Sequence, residues 1–399
     1  MTQTRDACAA LDAADPLAAF RDRFVVGDDA AIYANGNSLG RPPRATAPRV
    51  AGLIDEWGGA LTAGWKYWVD LPTEVGDRLG EACLGAAPGQ VAIADSTSVN
   101  LYKAVVAALD AAAPRSALVV AAEEFPTDRY VLQSIAAARG AELRTVARAA
   151  DIPDACADGA AAVAVASLVH YRSGELLDLG GVTATLRTTG TTMVWDLSHA
   201  VGVVDVRLDD AGVDVAVGCT YKYLNGGPGA PAFIYVSRDA QARLRQPMWG
   251  WFGNRDMFAM GPEYVPAPTM RSWLVGTPNI AATMAVDEGV RVVAEAGIGA
   301  VRDKSKALTS AAYALAESWL VPLGAVIDSP AEPERRGSHI AIAHPDAAAL
   351  CNALIAKERV VPDFRHPNVI RLGLSPLYTR FVDVWDALDR TREEIEHPG

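Results

Sequence analysis

Along this chain, short unbroken apolar runs alternate with stretches in which apolar residues recur every three or four positions. The first kind reads as buried strand, the second as amphipathic helix. Val91–Ala94, Ser116–Ala122, Ala161–Leu168, Met193–Trp195, Val213–Val217 and Ala232–Val236 are the strands. Helices over 99–112, 129–139 and 182–188 fall between them, and one over 46–62 precedes them. The alternation predicts an α/β domain built on a mostly parallel sheet flanked by helices. From Leu320 the order changes. Strands near Ala325–Asp328, Ser338–Ala343 and Asn368–Leu374, with helices 346–357 and 382–395, predict a smaller α+β C-terminal domain. Residues 281–318 are helical, 240–280 are irregular, and Asp6 to Phe24 form a helical lead-in. The expected division is a segment 1–45 packing with the small domain, a large domain 46–280 and a small domain 281–399.

Composition narrows the partners. The net charge of −12 over 399 residues argues against nucleic acid or an anionic membrane surface. No stretch approaches the length of a membrane span, and the acidic start does not resemble a secretion signal. The five cysteines show no paired spacing, which fits free thiols in a reducing cytoplasm. The six histidines never fall in a zinc-binding spacing.

Chemistry gathers where strands end. Met193-Val194-Trp195 runs into Asp196, and His199 follows. Val213–Val217 leads into Cys219-Thr220-Tyr221-Lys222 and a glycine-rich turn. A lysine at the end of an apolar strand is costly unless chemistry employs it. An aspartate at a nearby strand end would complete a pyridoxal phosphate (PLP) site, with the lysine for a Schiff base and the aspartate for the pyridinium nitrogen. A snorkelling lysine and a helix-capping aspartate explain the same residues. The turn Asp95-Ser96-Thr97-Ser98 precedes a helix and offers hydroxyls and backbone N–H groups to a phosphate, or simply caps the helix. Phe125, just past a strand, is placed to stack on a ring or to plug the sheet edge. The aromatic cluster around Trp65 lines a pocket or packs locally. Arg371 lies mid-strand and needs an anion: a substrate carboxylate or a structural partner. Gly36-x-Ser38-x-Gly40 has the spacing of a hydrolase nucleophile elbow. Pro42 and Pro43 deny it the helix that an elbow requires, which tells against a serine nucleophile.

Several segments together resemble kynureninase. They are GNSLG (36–40), DSTSVN (95–100), EEFPTD (123–128), HYRSGELLD (170–178), WDLSHAVG (195–202), DVAVGCTYKYLNGGPGAP (214–231), GWFG (250–253), GTPNI (276–280) and RLGLSPLYTRF (371–381). They span nearly the whole chain in order. The resemblance implies PLP fold type I, with a seven-stranded-type sheet, and hydrolysis of L-kynurenine to anthranilate and L-alanine. It implies that Lys222 carries the cofactor, Asp196 pairs with the pyridine nitrogen and Phe125 stacks on the ring, within the segment Phe125-Pro126-Thr127-Asp128. Thr97, Ser98, Tyr221, Trp251 and Thr277 would hold the phosphate, the last two from the partner subunit of a homodimer. Asp128, Ser173 and His199 would complete the cofactor shell. Arg371 would grip the α-carboxylate, and Trp65, Asn37 and Gly276 would line the substrate site. Tyr221 would donate a proton late in the reaction. Gly276-Thr277 and Trp65 look like the bacterial type, which implies a preference for kynurenine over 3-hydroxykynurenine. Asn254 departs from the pattern, where a histidine is expected. The competing reading is another PLP lyase such as a cysteine desulfurase, which needs a reactive cysteine on a flexible loop. A non-catalytic PLP-binding regulator would need a basic DNA-binding extension, and neither terminus supplies one.

Overall fold

The apolar runs that end at Ala94, Ala121, Ser167, Asp196 and Gly218 become strands of a single sheet in the computed structural model, which describes residues 4–27 and 31–397. A short strand β1 (Ile32–Tyr33) precedes them. The large sheet holds β2 (Val91–Ala94), β3 (Ala117–Ala121), β4 (Leu143–Val146), β5 (Ala161–Ser167), β6 (Thr192–Asp196), β7 (Val215–Gly218) and β8 (Ala232–Val236). Its order is β2-β8-β7-β6-β5-β3-β4. Only β8 runs against its neighbours. The C-terminal ends of the other six strands therefore share one edge, where open α/β sheets gather ligands. β2, β3, β5, β6, β7 and β8 are buried on both faces, as the near-continuous Val, Ala and Ile runs require.

β9 (Val326–Ile327), β10 (His339–Ala343), β12 (Asp363–Arg365) and β13 (Val369–Gly373) form a second, antiparallel sheet in the order β12-β13-β10-β9. β11 (Val360–Val361) pairs in parallel with β1, joining the N-terminal segment to this region. Ile340, Ile342, Ile370 and Leu372 face the small apolar core. His339, Ala341 and Arg371 share the other face, since His339 lies opposite Gly373 and Ala341 opposite Arg371.

Three expectations change. The lead-in is a helix Arg5–Ala13, then a 3-10 turn Ala18–Arg23, because Pro16 cannot continue the helix; of the segment 1–45, residues 1–3 and 28–30 lie outside the described ones. The long helical stretch breaks at Gly297 (φ +77°) into helices Ile280–Ala296 and Ile298–Trp319. β4, on the sheet edge and only half buried, and the helix Leu71–Leu79 have no counterpart in the apolar runs read above.

Candidate active site

β6 and β7 are direct neighbours, so Asp196 and the segment after Gly218 meet at the sheet edge. Asp196 is buried and its Oδ1 accepts from Ser198 N at 2.7 Å. Ser198 Oγ in turn accepts from Cys219 N at 3.1 Å, tying the two strand ends together. Lys222 is half-buried, with Nζ 3.2 Å from His199 Nε2 and 5.9 Å from the centre of the Tyr221 ring. His199 is fully buried; burial first, then the Lys222 charge, holds its ring well below the usual histidine range. A neutral imidazole therefore faces the lysine. Burial pushes the Tyr221 hydroxyl up, so it keeps its proton at neutral pH.

Asp128 brings a second carboxyl to Asp196. Burial above all, then the charges of Asp196 and Glu124, raise its pKa well above the ordinary carboxyl value. Its Oδ2 has no partner other than the Asp196 carboxyl beside it. Two carboxyls side by side share a proton unless a cation arrives. Glu124 is buried behind them. Its oxygens accept from Ser167 Oγ (2.6 Å), Ser167 N (2.8 Å) and Phe125 N (2.9 Å), which fixes the turn carrying Phe125. The sequence offered a signal for Glu124, the second of two acids after an apolar strand, and the expectations above give it no role. Phe125 is partly exposed, with its ring at right angles to Tyr171, 5.4 Å between centres.

Thr97 and Ser98 open the helix Thr97–Ala111, capped by Ser96, whose hydroxyl accepts from Val99 N. The hydroxyls of Thr97 and Ser98 carry no hydrogen bond among the described residues. Ser173 Oγ lies 2.9 Å from His170 Nδ1, while His170 Nε2 reaches the Glu123 carbonyl. Pro126 and Thr127 begin the helix Pro126–Arg139 that presents Asp128.

Arg371 is fully buried. Its Nε donates to Asp363 Oδ1 at 2.7 Å and its Nη2 to Asp363 Oδ2, a bidentate pair set by the cross-strand register of β12 and β13. Nη1 donates to the Tyr171 carbonyl and Nη2 also to Ser38 Oγ. The Asn37 carboxamide, its oxygen turned to Arg371, accepts from Nε and Nη2 at 3.2 Å. Burial alone would raise the Asp363 carboxyl; Arg371, Ser38 and Arg365 outweigh it and hold it low. Arg371 thus has a structural partner. Ser38 Oγ donates to Asp363 at 2.5 Å and has two guanidiniums beside it; the carboxylate it meets is already committed to Arg371 and Arg365, so the hydroxyl serves this ion-pair network.

Five residues lie apart from this cluster. Gly276 and Thr277 are exposed and line a cavity of about 300 Å³ beside Ala94 and Asp95. Trp251 is exposed and stacks edge-on with Phe252 and Phe258. Trp65 packs edge-on against Trp68 and Phe252, at the rim of the apolar core. Asn254 serves its own loop, accepting from Arg255 N and Val265 N.

By overall shape the chain is similar to a C-DES mutant bearing glycine covalently linked to its PLP cofactor, at a TM-score of 0.82 with 15% identity, covering 94% of this chain and 99% of that one. That likeness establishes the fold: an α/β fold shared with PLP enzymes. Sequence comparison goes further. The profile of the kynureninase C-terminal domain matches residues 301–390. A kynureninase of Burkholderia pseudomallei strain 1106a is 43% identical over 99% of this chain and 96% of its own length. One of Pseudomonas fluorescens is 40% identical over 98% and 96%. The chain belongs to the kynureninase family.

Proposed function

We propose that this protein hydrolyses L-kynurenine to anthranilate and L-alanine with pyridoxal phosphate as cofactor. The observation that carries the reading is the convergence of Lys222, His199, Asp196 and Asp128 at one sheet edge. These residues fit the cofactor. The carboxyl pair, with its unpaired buried oxygen, suits a cationic ring nitrogen, and the free hydroxyls at a helix N-terminus suit a phosphate. Lys222 would hold the aldehyde, Asp196 and Asp128 the ring nitrogen, Phe125 the ring face, and Thr97, Ser98 and Tyr221 the phosphate. Ser173 and His199 would complete the shell.

When bound, the pyridoxal ring supplies an electron sink for the carbon next to the substrate amine. The protein's own work is proton transfer and positioning. The neutral His199 leaves Lys222 free of a competing cation, so its amine can take the proton from Cα. Arg371, held by Asp363 and Asn37, fixes the carboxylate end. Water adds to the γ-carbonyl, the Cβ–Cγ bond breaks, and the Tyr221 hydroxyl supplies a proton to the alanine fragment. Asn37, Trp65 and Gly276 are assigned to the aryl side, with kynurenine preferred over its 3-hydroxy form. Trp251 and Thr277 are assigned to the active site of a second copy. The exposed Met248, Trp249, Trp251, Phe258 and Met260 support a homodimer. The same reading divides the chain into 1–45, a large domain from 46 and a small domain to 399. Because helix Ile280–Ala296 packs on the large core, we place the hinge at Gly297 instead of at 280.

A cysteine desulfurase needs a reactive exposed thiol. All five cysteines here are buried and free, and burial raises the thiol of Cys219, nearest the site. The test is direct. PLP-loaded protein mixed with L-kynurenine should release anthranilate, read by its fluorescence, and Lys222→Ala should abolish both release and the visible absorption band. A loaded protein that retains its band but releases no anthranilate overturns the reaction.

A further inference from the structure

His339 is fully buried, yet neither ring nitrogen has a hydrogen-bond partner among the described residues. An unpartnered buried polar group costs roughly 1–3 kcal/mol. Its strand neighbours Ile340 and Ile342 show that β10 is otherwise apolar on the opposite face. The His339 face looks elsewhere. Its ring centre lies 5.7 Å from that of His199, whose Nε2 touches Lys222 Nζ at 3.2 Å. On its other side, Arg371 is its diagonal cross-strand neighbour on the same face, close enough for side chains to share a ligand. Gly373, directly opposite, carries no side chain of its own, and the Asn37 carboxamide that also reaches Arg371 lies over it. His339 thus stands between the amine that would receive a substrate and the guanidinium that would hold its carboxylate.

Arg371 cannot do the second job alone. A guanidinium has five N–H donors. Four already serve Asp363 twice, the Tyr171 carbonyl and Ser38, which leaves one, on Nη1. A carboxylate arriving here meets a single free N–H in place of a fork, and needs a second donor.

We infer that His339 is a substrate-binding residue, whose imidazole donates one N–H to the α-carboxylate of the bound amino acid beside Arg371. The inference rests on the proposed PLP reaction and deepens its substrate site. The rival donor is Arg365, whose Nε is also buried and unpartnered and whose charge reaches His199, but whose Nη2 already donates to Asp363 Oδ2 and Ser38 Oγ.

The test uses PLP-loaded protein titrated with L-alanine and, separately, with ethylamine, followed by the cofactor's absorption. In His339→Phe, which keeps the ring and removes both nitrogens, the Kd for L-alanine should rise roughly ten-fold or more, the worth of one hydrogen bond to a charged group. The Kd for ethylamine, which has no carboxylate, and the affinity of the apoprotein for PLP should stay within about two-fold. His339→Gln, which restores a donor, should recover most of the loss, and His339→Leu gives the same readout should phenylalanine not fit. Unchanged L-alanine affinity in His339→Phe overturns the assignment, and so does a loss confined to Arg365→Gln. Equal losses for L-alanine and ethylamine overturn it too, since they mark a merely structural role. A wild-type protein that binds L-alanine but cleaves no L-kynurenine overturns the reaction and leaves His339 assigned.

Discussion

Asp128 illustrates one rule: burial punishes charge unless a counter-charge arrives. For Asp128 the folded carboxyl is raised, so its stabilising contribution is complete below about pH 4 and is lost as pH rises through the raised value. The cofactor-free protein therefore carries a cost at neutral pH that an uncharged amide does not. Asp128→Asn should raise the thermal midpoint of the apoprotein at pH 7.5 by a few degrees, with about 1 kcal/mol corresponding to roughly 2–4 °C. The gain should shrink toward pH 5. The same substitution should weaken PLP retention, because the ring nitrogen loses a counter-charge. A gain of equal size at both pH values would show that packing, not charge, is responsible. At this scale much was readable in the sequence. Asp196 and Lys222 announce themselves as charged residues ending apolar strands. Asp363 does not, because its role comes from facing Arg371 across two antiparallel strands, and register is a three-dimensional fact. His339 left a weaker trace, a lone polar residue opening an apolar strand.

The element that carries Lys222 is held from two sides by glycines. Gly40 N donates to the Tyr221 carbonyl at 2.8 Å, and a Cβ on Gly40 would stand 2.3 Å from the Lys222 carbonyl oxygen. On the other side, a Cβ on Gly289, inside helix Ile280–Ala296, would stand 1.8 Å from the Leu224 carbonyl oxygen. The GNSLG segment is thus a backbone clamp, and its glycine spacing serves close approach in place of a nucleophilic serine. This explains why a hydrolase-like spacing appears in a chain whose serine contacts only Asp363 and two arginines. Gly289→Ala must push the helix off the Lys222 loop. It should cost about 1–3 kcal/mol, the usual penalty of overpacking, read as a lower denaturation midpoint. It should also weaken PLP binding, while Gly52→Ala, with nothing within 4 Å of the new Cβ, should do neither. Equal behaviour of the two variants would remove the clamp from the account. The strands of the large sheet were legible because burial on both faces writes them as unbroken apolar runs. β4, at the edge and half exposed, and β11 and β12, of two and three residues, were not, since pairing partners define them more than composition does.

Across the whole molecule, the large and small sheets meet at two buried histidines, His199 from the loop after β6 and His339 from β10. Burial is the first cause of both depressed values. Lys222 adds to it for His199 and Arg371 for His339, so the junction sits under positive charge from each side. The unfolded chain protonates its histidines near pH 6.5, whereas the folded one resists to lower pH. The unfolded state then binds more protons, and stability falls with pH from about 6.5 down to the folded values, by up to about 1.4 kcal/mol per unit for each histidine. Asp128, Glu124 and the partly buried Glu288, all raised by burial, work in the opposite sense, so the part of the slope that His339→Phe removes is the reading specific to the histidines. The apoprotein's urea midpoint should accordingly drop between pH 7 and pH 5.5, and His339→Phe should flatten that slope by roughly half. The prediction concerns the joint between the two sheets, so proteolysis offers an independent reading. Acid should expose sites near Gly297 and in the 170–174 loop, which packs against His339, before the large sheet opens. If the midpoint is flat over this range, the histidines titrate freely and the junction is open to water, which would also remove the basis for placing a substrate carboxylate there.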